Sequence, residues 1–430
     1  MERSPDKRMG ALARVLARAL NAEKEGTAEG TPDLEEESQV AGGSSVLEDD
    51  ESLDQVLRTV LSRTSQVSGE RASAPAQLAE LLAMPNHERE SAVASQARFH
   101  TYSLASYTLE RCEKVVFHDP AMAGELARLA RTVAEQADPR ECGGTAALAD
   151  LEAYAMAMEA NAARVGGNLQ EAFSTFLLSR RTQDRGGADP DLSARIDLLE
   201  ASLRRDLRQF AAAFELLDRA ERGFVALNDR NRQARAIINR ANVFLVTKEL
   251  DRVIENLRKA LTLANDPWLA LVVRHNLIFA LAECGSAREA ADLYESSKDL
   301  YLQYNDPLTV SRRIWAEGLI ARELDEDLAR AEELLTQAMD RLTEHGYAYD
   351  AALAGLDLVM VYARRGETAE VFRVASDLVR LFQSRDVHPE ALAALKAVQQ
   401  AAERQTVSFK LLAHAADRVR VNQVRGNPAN

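Results

Sequence analysis

Five Asp-Pro dipeptides punctuate this chain: Asp119-Pro120, Asp138-Pro139, Asp189-Pro190, Asp266-Pro267 and Asp306-Pro307. An aspartate before a helix accepts hydrogen bonds from its first free amides. A proline at the first helical position lacks an N–H that has no helical partner there anyway. Each pair therefore reads as a helix start, and Pro267 and Pro307 stand 40 residues apart. From residue 76 onward apolar residues recur every three or four positions, and no strand-like alternation persists. This punctuation confines the chain to an all-α array of helical hairpins.

A second signal lies inside each period. Short hydrophilic turns precede a small–large–small pattern in GNLQEAFSTFLLS (167–179), RQFAAAFELLDRA (208–220), KELDRVIENLRKA (248–260), GSAREAADLYESS (285–297), EDLARAEELLTQA (326–338) and GETAEVFRVASDL (366–378). The small residues Ala172, Ala213, Ala290 and Ala331 let two helices approach closely. Phe176, Leu217, Leu257, Tyr294 and Leu335 fill the space between units. The pattern resembles the tetratricopeptide repeat, whose helical hairpins stack into a superhelix. That resemblance implies a right-handed superhelical solenoid. Its period is nearer 40 residues than the usual ~34, so its helices or loops are expected to be longer. The expected organisation is an N-terminal extension (1–75), a helical cap region (76–149), six repeats (150–388) and C-terminal capping helices (389–425).

The runs ARELDEDLARAEELL, YDAALAGLDLVMVYARRGETAEV and FQSRDVHPEALAALKAVQQAA, with residues 78–120, are similar to a group of bacterial tetratricopeptide proteins. Some members of that group begin with a His/Cys zinc-binding module like that of anti-sigma factors. Residues 1–75 here contain no histidine and no cysteine, so that site is absent, which weakens what the resemblance implies about sigma-factor control.

The extension itself has three parts. Residues 9–20 place Met9, Leu12, Val15, Leu16 and Leu20 on one helical face, with Arg14 and Arg18 on another. Such a helix can dock on its own protein, on a partner or on a membrane surface. Residues 23–52 hold most of the chain's net charge of -14. A stretch so acidic and so poor in apolar residues is expected to be a disordered linker. A helix is expected over 53–67 and a loop over 68–75.

The acidic balance disfavours nucleic acid as a partner, although the charge outside the linker is close to neutral. The three cysteines, Cys112, Cys142 and Cys284, lie far apart and form no CxxC, which fits a reducing, cytoplasmic location. No apolar run reaches the roughly 20 residues of a membrane span. Arginines inside the first apolar stretch, with no small-residue cleavage site after it, argue against a secretory signal.

Little of the sequence carries chemistry. There is no GxxxxGK[ST] phosphate loop, no GxGxxG, no HExxH and no cofactor motif. Cys112 and His118 would need further partners to bind metal or act as a nucleophile pair. The expectation is a non-enzymatic interaction scaffold or adaptor for a protein or peptide. The alternatives are a peptide or small-molecule sensor, and an enzyme built on Glu317 with Asp357.

The candidate contacts come from the first helix of each hairpin. Aligning units three to six on their second helices puts Asn239, Asn276, Glu317 and Asp357 in one register, 37, 41 and 40 residues apart. Polar groups repeated inside apolar helices form either a ladder between neighbouring helices or a recognition surface. Asparagine can clamp an extended backbone by donating and accepting together. Arg235, Asn242, His275 and Arg313 are expected on the same face, and Trp315 is a packing residue or a groove anchor. The arginines of units two and three form either a basic patch or pairs with the interleaved acids.

Overall fold

A computed structural model describes residues 46–116, 119–324, 327–383 and 389–426. The chain divides into two compact units, Met1–Ser65 and Gln66–Asn430. Among the described residues every regular element is helical. The expected helix at 9–20 and residues 1–45 of the extension lie outside the described residues.

The first helix, α1, runs Val46–Ala83 without a break. It therefore includes 46–52, expected to be linker, and 68–75, expected to be loop. Pro75 removes one helical donor, but Ala74, Leu78 and Leu81 are buried on either side of it. The Ser73 hydroxyl also donates to the Glu70 carbonyl at 3.0 Å. Tertiary packing thus outweighs the local preference of Ser-Gly and Pro for a turn.

Short α2 (Asn86–Ser95) precedes the hairpin α3 (Tyr102–Val115) and α4 (Pro120–Gln136). Six hairpins follow: α5 (Thr145–Val165) with α6 (Leu169–Gln183), α7 (Pro190–Asp206) with α8 (Phe210–Ala226), and α9 (Arg230–Thr247) with α10 (Leu250–Leu263). Next come α11 (Pro267–Glu283) with α12 (Ala287–Glu295) and α13 (Lys298–Leu302), α14 (Pro307–Glu323) with α15 (Leu328–Glu344), and α16 (Ala348–Arg365) with α17 (Thr368–Gln383). The chain then forms α18 (Pro389–Glu403) and α19 (Phe409–Gly426).

Four of the Asp-Pro pairs start helices. Asp119, Asp189, Asp266 and Asp306 accept from Met122, Leu192, Leu269 and Thr309 amides at 2.8–3.0 Å. The fifth does not. Asp138 accepts from the Arg140 amide at 2.9 Å and pairs with its guanidinium, closing a local turn. Gly143 and Gly144, both at positive φ, then delay α5 to Thr145.

Within the hairpins Ala172, Ala213, Ala290 and Ala331 are completely buried, and Phe176, Leu217, Leu257, Tyr294 and Leu335 are at most 4% exposed. First helices lie beside their own second helices and, for α5/α7, α7/α9, α11/α14 and α14/α16, beside the next first helix. That arrangement lines up one face of successive first helices.

Candidate functional site

The shared face of the first helices is a groove with a cavity volume of about 950 Å³. Its walls come from α3, α5, α7, α9 and α11, and Leu308 and Tyr347 close one side. Met158, Leu198, Leu199, Ile238, Leu269 and Val272 give it an apolar strip. Trp268, half-buried two residues into α11, lies edge-on to Tyr304 with ring centroids 5.0 Å apart.

Five arginines line the groove: Arg164, Arg195, Arg205, Arg232 and Arg235. Four are committed to neighbours. Arg164 and Arg205 share the Asp206 carboxylate at 2.9 and 2.8 Å, all three side chains almost completely buried. Burial raises the Asp206 pKa, but the two guanidiniums outweigh it and hold the carboxyl below its ordinary range. Arg195 stacks 4.2 Å from the Tyr154 ring centroid and pairs with Glu113 and Asp191. Arg232 pairs with Asp191 at 2.7 Å and Asp229 at 3.3 Å.

Arg235 is different. It is exposed in the groove and has no side-chain partner among the described residues; half-buried Asn239, one turn further along α9, has none either. A guanidinium and an amide therefore stand side by side with their donors and acceptor unspent, above an apolar strip.

A smaller cavity of about 80 Å³ lies beyond them, lined from α9, α10, α11, α14, α16 and α19. It takes in Asn242, His275 and Asn276. Asn242 is 5% exposed, and its amide nitrogen has no partner. His275 Nδ1 lies 2.9 Å from the Tyr301 hydroxyl. Burial, reinforced by the nearby Arg312 charge, holds its pKa well below the ordinary value, so the ring is neutral. Arg312 is itself paired with Asp350 at 3.0 Å.

The aligned positions thus separate. Arg235 and Asn239 face the large groove, and Asn242, His275 and Asn276 face the small cavity. Glu317, Asp357 and Arg313 line neither. Glu317 accepts from the Tyr294 hydroxyl on the preceding second helix. Asp357 accepts from Trp315 Nε1 at 2.8 Å and Arg322 at 2.7 Å, both on α14. Those two carboxylates are a ladder between packed helices and do not share a pocket. Trp315 is 4% exposed, packed edge-on to Phe279.

Trp268 carries no repeat or motif signal in the sequence; it lines the large groove at the start of α11, eight residues before Asn276, which faces the small cavity. Cys112 is a core residue. Its thiol donates to the Ala123 carbonyl at 3.2 Å, and burial, with Glu113, pushes its pKa up to about 12. His118 lies outside the described residues. Among the described residues no three His, Cys, Asp or Glu side chains gather as metal ligands, and no helix is long and apolar enough to cross a membrane.

No family model and no curated protein matches the chain. Solved structures do. A Rap protein complexed with competence and sporulation factor is 13% identical with a TM-score of 0.53, over 74% of this chain and 87% of that one. The apo form of RapI is 12% identical with a TM-score of 0.51, over 73% and 85%. At such identities the likeness establishes the fold, an array of tetratricopeptide-like hairpins.

Proposed function

We propose that this chain is a non-enzymatic interaction scaffold that captures a peptide, or an exposed segment of a partner protein, in the groove of α5, α7, α9 and α11. The observation that carries the reading is the unpartnered pair Arg235 and Asn239. The other four arginines around them are paired, so among the described groove arginines Arg235 alone is unspent, beside a free amide; exposed Lys114 and Glu110 add one further charge of each sign at the α3 end. The fitting ligand is a segment with an acidic group, which Arg235 pairs with, beside an apolar side chain for the strip and Trp268. Asn239 takes its backbone by donating and accepting. Most of the site is preformed by helix packing, so little ordering of the scaffold opposes binding. The likeness to a Rap protein holding competence and sporulation factor supports the reading by analogy of fold. The similarity to bacterial tetratricopeptide proteins and the three free cysteines support a regulatory adaptor in bacterial cytoplasm, with residues 150–388 as its binding body.

A displayed peptide library panned against the full chain tests this. Enriched peptides should carry an acidic residue next to an apolar one. Their affinity should fall at least tenfold on the double variant Arg235→Ala, Asn239→Ala, once its helix content is shown to match the wild type. No enrichment, or enrichment that the double variant retains, would overturn the proposal.

A further inference from the structure

The last described helix does not sit where the repeat would put it. After α17, α18 lies beside α17, as a first helix does after the second helix before it. The following α19 then turns back. It packs along α16 as well as α18 and reaches α9 and α5. Those three are first helices, and Arg420 of α19 lines the smaller cavity.

Its seat has two kinds of contact. Leu412, Ala415 and Val419, spaced as one helical face, are at most 1% exposed and join the core of α14–α18. Two ion pairs of opposite polarity fix its direction: Asp417 with Lys248 at the end of α9, and Arg420 with Glu283 on α11. The Arg420 side chain is only 21% exposed and lines the small cavity with Trp315 and Phe279. The seat is also imperfectly filled, because the buried Asn242 amide nitrogen that faces the same cavity has no partner. Such a donor costs free energy while unmet, and meeting it takes an acceptor oxygen, which donor-only Arg420 does not supply and a partner helix can.

We infer that the face of α9, α11, α14 and α16 is a receptor for an amphipathic helix bearing an arginine beside its apolar stripe. α19 holds this receptor in cis, and a partner helix of the same chemistry enters by displacing it. Charge complementarity names the occupant: Glu283 accepts the arginine and Lys248 an acidic residue three positions earlier. The surface uses the far half of α9, beyond Arg235 and Asn239, so the inference is independent of the ligand of the large groove.

The test uses the full chain and a labelled peptide of residues 409–426. In a chain carrying Asp417→Ala and Arg420→Ala, amide exchange of α19 should rise at least tenfold while α5 to α17 keep their protection. The peptide should bind that chain at least tenfold more tightly than it binds wild type. An Arg420→Ala peptide should lose at least tenfold, and a Glu283→Arg receptor should prefer the Arg420→Glu peptide. Should the double variant misfold, Glu283→Gln alone, at a half-exposed position, must produce the same loosening of α19. Three results overturn the inference: α19 equally protected in variant and wild type, equal peptide binding to both, or a released α19 whose vacated seat does not take the peptide. Arg235→Ala should leave this binding unchanged, so the failure of one proposal does not imply failure of the other.

Discussion

His275 shows how burial turns a titratable side chain into a stability term. It is 8% exposed, 4.5 Å from the Phe279 ring centroid and bonded to the Tyr301 hydroxyl. Burial first, and Arg312 second, keep it neutral when folded. In the unfolded chain it takes up a proton near its ordinary pKa of about 6.5. The unfolded state therefore binds more protons at acid pH, and stability falls as pH drops below about 6.5 toward the depressed folded value. The limiting slope is about 1.4 kcal/mol per pH unit. Urea unfolding at pH 7.5 and 5.5 should accordingly show the wild type losing about 1 kcal/mol more than His275→Gln. An equal loss in both proteins would mean that folding leaves the imidazole pKa unchanged. Asp206 has the opposite character: it stays charged because two guanidiniums surround it.

In five of the six hairpins the turn that joins the first helix to the second repeats one backbone conformation with different residues. Gly167, Arg208, Lys248, Gly285 and Gly366 all adopt positive φ, between 60° and 88°. A side chain in this region costs about 1 kcal/mol, against a smaller entropic cost of glycine in the unfolded chain. Nothing lies within 4 Å of a Cβ built on Gly285, so only its backbone resists substitution. Gly285→Ala should lower stability by about 1 kcal/mol, and exposed Arg208→Gly should raise it by a few tenths. Denaturation midpoints of the same sign for both would refute the common turn. The buried alanines of the second helices were legible in sequence because close helix approach admits few residue types. Four Asp-Pro starts were legible for a similarly local reason. Pro75 inside α1 and the turn at Asp138 were not, since burial and a diglycine decide them. Register alone puts Arg235, Asn239 and Asn242 on α9, but it does not show that Tyr294, Trp315 and Arg322 take up the Glu317 and Asp357 carboxylates. Periodicity also shows that α19 has an apolar face without showing which surface that face covers.

The apolar core of the described chain is discontinuous, and the discontinuity crosses the groove. One large cluster spans residues 74–203, and two more span 234–316 and 308–419, bridged by Phe279. Between them, around α7 to α9, lie only two small clusters, one from Ala201 to Val243 and one from Ala194 to Ala236. That joint relies on ion pairs instead, such as Arg219 with Asp197 at 2.7 Å and Arg240 with Asp218 and Glu221 at 2.6 Å. Partly exposed pairs of this kind contribute about 0–1 kcal/mol each. A repeat array is stabilised by its units and their nearest-neighbour interfaces, so the weakest interface sets where cooperativity breaks. Unfolding should therefore occur in two blocks. Both tryptophans, Trp268 and Trp315, belong to the C-terminal block, whereas far-ultraviolet circular dichroism reads both. The two signals should give non-coincident urea curves that separate further in high salt. Coincident curves at every salt concentration would show that the joint is as strong as the cores. A ligand held by Arg235 and Asn239 on α9 and by Leu198 and Leu199 on α7 spans this joint. It binds only when both blocks are folded and in register, so it stabilises them together. The two transitions should converge on saturation with a groove peptide and remain apart with the Arg235→Ala, Asn239→Ala variant.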